Sequence, residues 1–292
     1  MCKVAVVTTG FFDGVHLGHR HVLDTVVSSA RERGEEAIVV TFWPHPRTVL
    51  QQDARDFRLL TSLQEKERLL REAGIDRVEV IPFTREFAAM KAQEYLAMLK
   101  ARYGASLVVM GYDNRIGADK LTAREISSTP VMAVDPCHSE RSEESPISST
   151  KIRKVLEAGD VERANGMLGY QYGLYGVVVA GNKMGRTIGF PTANMQLYEP
   201  LKLVPLNGVY SVEVEVLGET YKGMCNIGTR PTVGGTTRTI ETHILDFDED
   251  IYGLPLKLRF VRRIRDERKF ASLEALRLQL EKDRDAVSLP LL

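Results

Sequence analysis

The sequence predicts a chain of two parts, α/β followed by β. The first is a Rossmann-like parallel sheet with helices, the second a small antiparallel β-barrel with a C-terminal helix. Three observations carry this. The first half alternates short apolar runs with helical patterns, the grammar of a parallel sheet. After Gly169 the pattern turns to short strands punctuated by Gly, Pro, Asn and Asp, the grammar of a small barrel. The 292 residues suffice for two domains at roughly 100–200 residues each. The boundary is expected at 168/169, giving domains 1–168 and 169–292.

Strands are expected at Val4–Thr8, Ala37–Phe42, Val78–Pro82 and Ser106–Gly111, with helices over about His19–Arg33, Ser62–Ala73 and Arg85–Arg102 between them. Residues 114–147 carry little signal, and the polar run Cys137–Pro146 reads as a loop. A helical pattern resumes over Lys151–Leu168, broken near Gly159-Asp160. Barrel strands are expected at Tyr175–Ala180, Gly208–Val216, Tyr221–Ile227, Thr239–Phe247 and Leu256–Val261. A last helix over Ser272–Val287 places Leu273, Leu276, Leu280 and Val287 near one face.

Composition narrows the class. Lys plus Arg and Asp plus Glu both number 39, which argues against a nucleic-acid binder relying on bulk positive charge. No apolar run approaches the roughly 20 residues of a membrane span. Cys2, Cys137 and Cys225 are odd in number and widely spaced, which suggests neither a disulfide framework nor a zinc site, so cytoplasm is the default compartment.

The run Gly10-Phe11-Phe12-Asp13-Gly14-Val15-His16-Leu17-Gly18-His19 joins the first strand to a helix. Its glycines let backbone N–H groups approach an anion, and the helix start presents unpaired N–H groups. His16 and His19, three apart, can each donate to a phosphate whose charge grows in the transition state. Ile-Ser-Ser-Thr occurs at Ile126–Thr129, where Pro130 leads into a strand, and at Ile147–Thr150, where Ser148, Ser149 or Thr150 can cap a helix carrying Lys151 and Arg153. The second copy is expected to act as a second clamp on the same triphosphate.

In the second half, Gly181, Lys183, Gly185 and Arg186 precede Gly189-Phe190-Pro191-Thr192-Ala193-Asn194. The Thr192 hydroxyl and Asn194 amide oxygen suit Mg²⁺, a hard cation that takes oxygen ligands alongside phosphates. Strand alternation puts Glu241 and His243 on one face. Glu241 could take a proton from a hydroxyl attacking a phosphate, although from this segment alone a surface strand residue is the simpler reading, and His243 receives no role. Most of the run Arg262, Arg263, Arg265 and Arg268 is expected to be a solvated face, with one of them able to reach a phosphate.

In this order the motifs resemble the bacterial bifunctional riboflavin kinase/FMN adenylyltransferases (FAD synthetases). The likeness rests on Gly10–His19, Thr41–Pro46, Leu60-Thr61 with Glu65-Lys66, Pro82–Ala88 and Ile147–Arg153. It continues through Gly185-Arg186, Gly189–Asn194, Asn207–Tyr210, Asn226–Gly228 with Arg230-Pro231-Thr232, and Glu241 through Gly253. The resemblance implies a multifunctional transferase. A C-terminal riboflavin kinase would make FMN and ADP from riboflavin and Mg·ATP. An N-terminal nucleotidyltransferase would make FAD and pyrophosphate from FMN and ATP.

It also implies roles. Glu241 is the kinase base, Thr192 and Asn194 hold metal and phosphate, and Gly181, Lys183, Gly185 and Arg186 line the kinase ATP loop. Asn226 and Arg265 contact flavin. His16 and His19 stabilise charge in adenylyl transfer, within an ATP site of Gly10, Phe11, Asp13, Gly14, Gly18, Asp113, Ser148, Ser149, Thr150 and Arg153. Riboflavin, FMN and ATP are the implied partners, with no nucleic acid, membrane or obligate protein partner. One segment, Gly111-Tyr112-Asp113-Asn114-Arg115-Ile116-Gly117, departs from the family's pattern by lacking aromatics at Asn114 and Ile116. The alternative is therefore a riboflavin kinase with a weakened or inactive adenylyltransferase half.

Overall fold

The computed structural model describes residues 4–50, 57–135, 147–181, 184–232 and 235–288. Two compact units divide the chain, Met1–Ser149 and Thr150–Leu292.

The first unit is a parallel five-stranded sheet of β1 (Ala5–Thr9), β2 (Glu36–Trp43), β3 (Arg77–Pro82), β4 (Ala105–Gly111) and β5 (Val131–Val134), in the order β3-β2-β1-β4-β5. β1 is buried throughout, which is why it reads as an unbroken apolar run rather than an alternation. Helices α1 (Leu17–Arg33), α2 (Pro46–Leu50) and α3 (Leu63–Glu72) precede β3, and α4 (Arg85–Ala88) and α5 (Ala92–Tyr103) precede β4. Ser62 and Glu65 close a capping box at the start of α3. α1 ends at Gly34, whose φ of 65° is the left-handed conformation glycine adopts without strain. Tyr95, Leu96 and Leu99 of α5 pack on Val7, Val40 and Met110 of the sheet.

One expectation is corrected here. The single helix over Arg85–Arg102 is two, because Thr84 caps α4 and the Glu94 carboxylate reaches back to the Lys91 N–H to start α5. The strand expected after Pro130 is present as β5, within a stretch that otherwise carried little signal. It is a four-residue edge strand with Met132 and Ala133 exposed, so its pattern is faint.

The second unit begins with α6 (Ser149–Glu157, so that the division falls in its first turn) and α7 (Val161–Leu168). A closed six-stranded barrel follows: β6 (Gly173–Val179), β7 (Ala193–Leu197), β8 (Gly208–Val216), β9 (Glu219–Thr232), β10 (Gly235–Ile244) and β11 (Pro255–Arg265). The short α8 (Met184–Thr187) separates β6 from β7, and α9 (Leu273–Ser288) ends the described chain. The 168/169 boundary read from sequence lies inside this unit. Asn165 of α7 donates to the Phe260 carbonyl at 2.9 Å and accepts from the Tyr172 N–H at 2.7 Å, so the helix is stitched to the barrel. β7 escaped sequence reading, being five residues with only Met195 buried.

The basic run on and after β11 is not a solvated face. Arg262 donates to the Ala286 carbonyl, Arg263 to the Asn207 carbonyl, Arg268 to Gln279, and Arg265 grips Asp283, whose side chain is 1% exposed. Three of these four ties hold α9. Cys225 of β9 lies opposite Thr242 of β10, fully buried, and burial pushes its thiol up to about 12.

Candidate active sites

In the first unit the strand order reverses at β1, with β2 on one side and β4 on the other, and ligands of such sheets bind at the carboxyl ends of strands beside this point. The Gly10–His19 turn leaves β1 there, and Asp113 follows β4. Phe12 and Val15 take positive φ (49° and 36°) around Gly14 (86°), a strained conformation for residues with side chains. Asp13 holds the turn. Its carboxylate accepts from the Leu60 and Thr61 N–H groups at 3.0–3.1 Å, while its carbonyl accepts from the Ser149 hydroxyl at 2.9 Å. The Asp13 side chain is thus a brace within the protein.

His16 caps α1, its Nδ1 accepting the His19 N–H at 3.3 Å. An accepting Nδ1 is unprotonated, which leaves Nε2 to carry the proton. The rings of His16 and His19 stack at 3.6 Å. His19 Nδ1 is buried without a hydrogen-bond partner among the described residues, and burial, then His16 and Lys66, hold its pKa well below the ordinary histidine value. Gly10, Gly14, Gly18 and Ser149 share this turn, helix start and its anchor. Asp113 follows β4, Ser148 directly precedes Ser149, and Thr150 and Arg153 belong to the second compact unit.

Next to the turn lies a cavity of about 420 Å³ lined by Gly10, Phe11, Phe42, Phe83, Phe87 and Asn114 among others. Phe11 and Phe42 stand 5.1 Å apart, and Phe83 meets Phe11 edge-on at 5.6 Å. Lys66 is 5% exposed and donates to the carbonyls of Phe11 (3.1 Å) and Phe42 (3.5 Å), the two aromatic residues that meet across the end of β1 and β2. Burial lowers its pKa to about 8. Ile116 packs into the apolar core, and its backbone pairs with Leu121 in both directions.

In the second unit, strand register assembles a polar rung. Glu241 of β10 lies opposite Asn194 of β7 on one side and Asn226 of β9 on the other. Residues directly opposite share a face, so the expected base, a metal ligand and a flavin contact converge. Glu241 is ion-paired with Arg230 at 2.6 Å. Arg186 and Thr192 line a cavity of about 240 Å³ with Phe247 and Asp250; from β7 and β10 it is lined by Ala193, Thr242 and Ile244, which alternate to the other face from Asn194 and Glu241. Gly181 lets the Asn194 amide settle: a Cβ there would stand 2.1 Å from Asn194 Nδ2. Gly185 is equally tight, its Cβ position 2.1 Å from the Phe190 carbonyl oxygen. Lys183 lies outside the described residues. The Arg265 guanidinium is committed to Asp283 at 2.7 Å, so the structure gives it a tethering contact.

The riboflavin kinase family model matches residues 168–289, and the FAD synthetase model matches residues 2–151. The bifunctional riboflavin kinase/FMN adenylyltransferase of Bacillus subtilis is 37% identical, over 96% of this chain and 90% of that protein. The Escherichia coli K12 protein of the same name is 38% identical, over 95% and 90%. The chain belongs to the bifunctional riboflavin kinase/FMN adenylyltransferase family. A crystal structure described as a macrolide-efflux protein from Streptococcus pneumoniae superposes with a TM-score of 0.93 at 34% identity, over 100% of this chain and 96% of that one. No helix among the described residues is long and apolar enough to cross a membrane.

Within this bifunctional family the chain keeps both of its catalytic units. Sequence reasoning gave no role to three residues that the structure puts against the sites, Lys66, Arg230 and His243. Only Lys66 had an internal signal, a lysine inside an apolar helix face directly after a capping glutamate.

Proposed function

We infer that the chain makes FAD from riboflavin in two ATP-dependent steps, each in its own unit. The observation that carries this is the pairing of two separate constellations: stacked histidines beside an aromatic cavity, and the Asn194–Glu241–Asn226 rung of the barrel, with Thr192 two residues before Asn194.

In the barrel, Glu241 accepts the proton of the ribityl 5′-hydroxyl as that oxygen attacks the γ-phosphorus of ATP, and ADP leaves. Thr192 and Asn194 offer two neutral oxygens, and the missing Cβ at Gly181 makes room for the amide, so the donor set fits Mg²⁺. When bound, the metal offsets phosphate charge. Arg186 lines the same cavity as Thr192 and adds a fixed positive charge. Arg230 holds the Glu241 carboxylate in place until substrate arrives.

In the first unit, an oxygen of the FMN phosphate attacks the α-phosphorus of ATP and pyrophosphate leaves. His16, with its proton fixed on Nε2, donates to the phosphates, and His19 stands against it in a dry site where such donors act strongly. The aromatic cavity supplies stacking faces for an isoalloxazine ring. Ile116 leaves that wall packed, which supports an active adenylyltransferase. Cytoplasm is the compartment we assign.

The test supplies riboflavin, ATP and Mg²⁺ and separates FMN from FAD. Both flavins are expected, and FMN alone would leave only the kinase. Glu241→Gln should abolish FMN formation while sparing FAD formation from supplied FMN. His19→Ala should do the reverse, lowering adenylyl transfer about 10²–10³-fold. Equal loss of both activities in either variant would refute separate sites.

A further inference from the structure

The kinase reading leaves one half-buried titratable side chain without a task. His243 lies two residues beyond Glu241 on β10, and its Nδ1 stands 2.7 Å from the Pro191 carbonyl oxygen. A carbonyl oxygen can only accept, so Nδ1 carries the proton and donates. The ring meets Phe190 edge-on at 5.1 Å, and Phe190 sits in a small core with Val209, Met224 and, from α9, Leu280 and Val287. Burial holds the imidazole below its ordinary pKa against the pull of the Pro191 carbonyl, and Arg284 of α9 acts in the same direction as burial.

What His243 grips matters because of what adjoins it. The segment from Gly185 to Asn194 carries Thr192 and Asn194. At its start the Phe190 N–H donates to the Gly185 carbonyl at 2.8 Å, with no space for a side chain on Gly185. At its end Asn194 is locked opposite Glu241 by strand register. Between these two anchors lies Pro191, which has no N–H, so its carbonyl is the one main-chain group it offers. That carbonyl is the residue's fixed point, and β10 supplies the donor.

We propose that His243 is a positioning residue of the kinase site: by donating to the Pro191 carbonyl it fixes Thr192 relative to Glu241. The proposal rests on the assignment of Thr192, Asn194 and Glu241 to riboflavin phosphorylation. Groups that orient ligands in this way typically contribute 10–100-fold to metal affinity or activity. A merely structural histidine would tolerate or reject replacements by size. A positioning histidine will discriminate them by where the donor sits.

Asparagine places an amide N–H close to the position of Nδ1, whereas glutamine reaches toward that of Nε2. The full-length chain is compared as His243→Asn, His243→Gln and His243→Ala. FMN formation is followed as a function of Mg²⁺ and ATP, and adenylyl transfer from supplied FMN is the internal reference. His243→Gln and His243→Ala are expected to raise the Mg²⁺ needed for half-maximal rate and to lower kcat/KM for ATP about 10–100-fold. His243→Asn should recover most of both. Equal impairment of the Asn and Gln variants overturns the proposal, as does an Ala variant with unchanged Mg²⁺ and ATP dependence. If the Ala variant does not fold, the comparison of Asn with Gln decides alone. Glu241→Gln, run beside them, separates the two layers. If it still makes FMN, the site assignment itself fails. If it is dead while all three His243 variants behave as wild type, only the positioning role fails.

Discussion

His19 is a buried, neutral imidazole whose proton affinity is depressed by burial, by His16 and by Lys66. Its sign in stability follows directly. The unfolded chain takes up a proton as pH falls through about 6.5, and the folded chain does so only at lower pH. The unfolded state therefore binds more protons in that window, and stability falls with acid by up to about 1.4 kcal/mol per pH unit. Denaturant midpoints of the first unit are expected to drop between pH 7.5 and 5.5, and the drop should shrink in His19→Phe. An unchanged slope in that variant would place the acid sensitivity elsewhere. Lys66 is a second case. Lowering its pKa from 10.5 to about 8 costs about 3 kcal/mol. Lys66→Met relieves that cost but strands the Phe42 carbonyl, at about 1–3 kcal/mol, while the Phe11 carbonyl keeps the Thr41 hydroxyl at 3.4 Å. The opposing effects nearly cancel, so the variant should keep its denaturation midpoint while losing FAD formation and keeping FMN formation. At this scale the histidines were legible because their chemistry is local to ten residues. Lys66 and His243 were not, since each acts on a group far away in sequence, and Arg230 was not, since the pairing of β9 with β10 rather than any local pattern brings it to Glu241.

Among elements, α9 shows how a tether can pass for a solvated charge run. Arg265 of β11 and Asp283 of α9 form a nearly buried ion pair, with side-chain exposures of 17% and 1%. Removing one partner of such a pair costs about 3–5 kcal/mol, because the other charge stays behind unpaired. Asp283→Ala should therefore lower the denaturation midpoint of the barrel unit and leave adenylyl transfer intact, which urea titration with both activity assays would show. Sequence alone could not separate this pair from surface charge, because Asp283 lies 18 positions away on a different element. The long buried strands and capped helices were readable from period and caps. β7 was not, because a short polar strand lacks the repeat length that makes a pattern visible, and β5 was marked only by Pro130 before it.

For the molecule as a whole, two units with separate cavities predict complementation in a mixture. A His19→Ala chain, slowed about 10²–10³-fold in adenylyl transfer, and a Glu241→Gln chain, unable to make FMN, should convert riboflavin to FAD together far faster than either alone, the FMN made by one being used by the other. FAD formation in the mixture should fall when an FMN-binding protein is added as a trap, and a mixture no faster than the His19→Ala chain alone would refute independent sites. The division of labour was legible from the change of grammar after Gly169. The placement of α7 with the barrel depended on the Asn165 side chain bridging Tyr172 and Phe260, which no local pattern announces. The sealed thiol of Cys225, held protonated between barrel strands, has its own consequence. Only thiolates react readily with peroxide or alkylating agents, so a catalyst that builds an electron-carrying cofactor keeps this sulfur beyond the reach of the oxidants such cofactors generate.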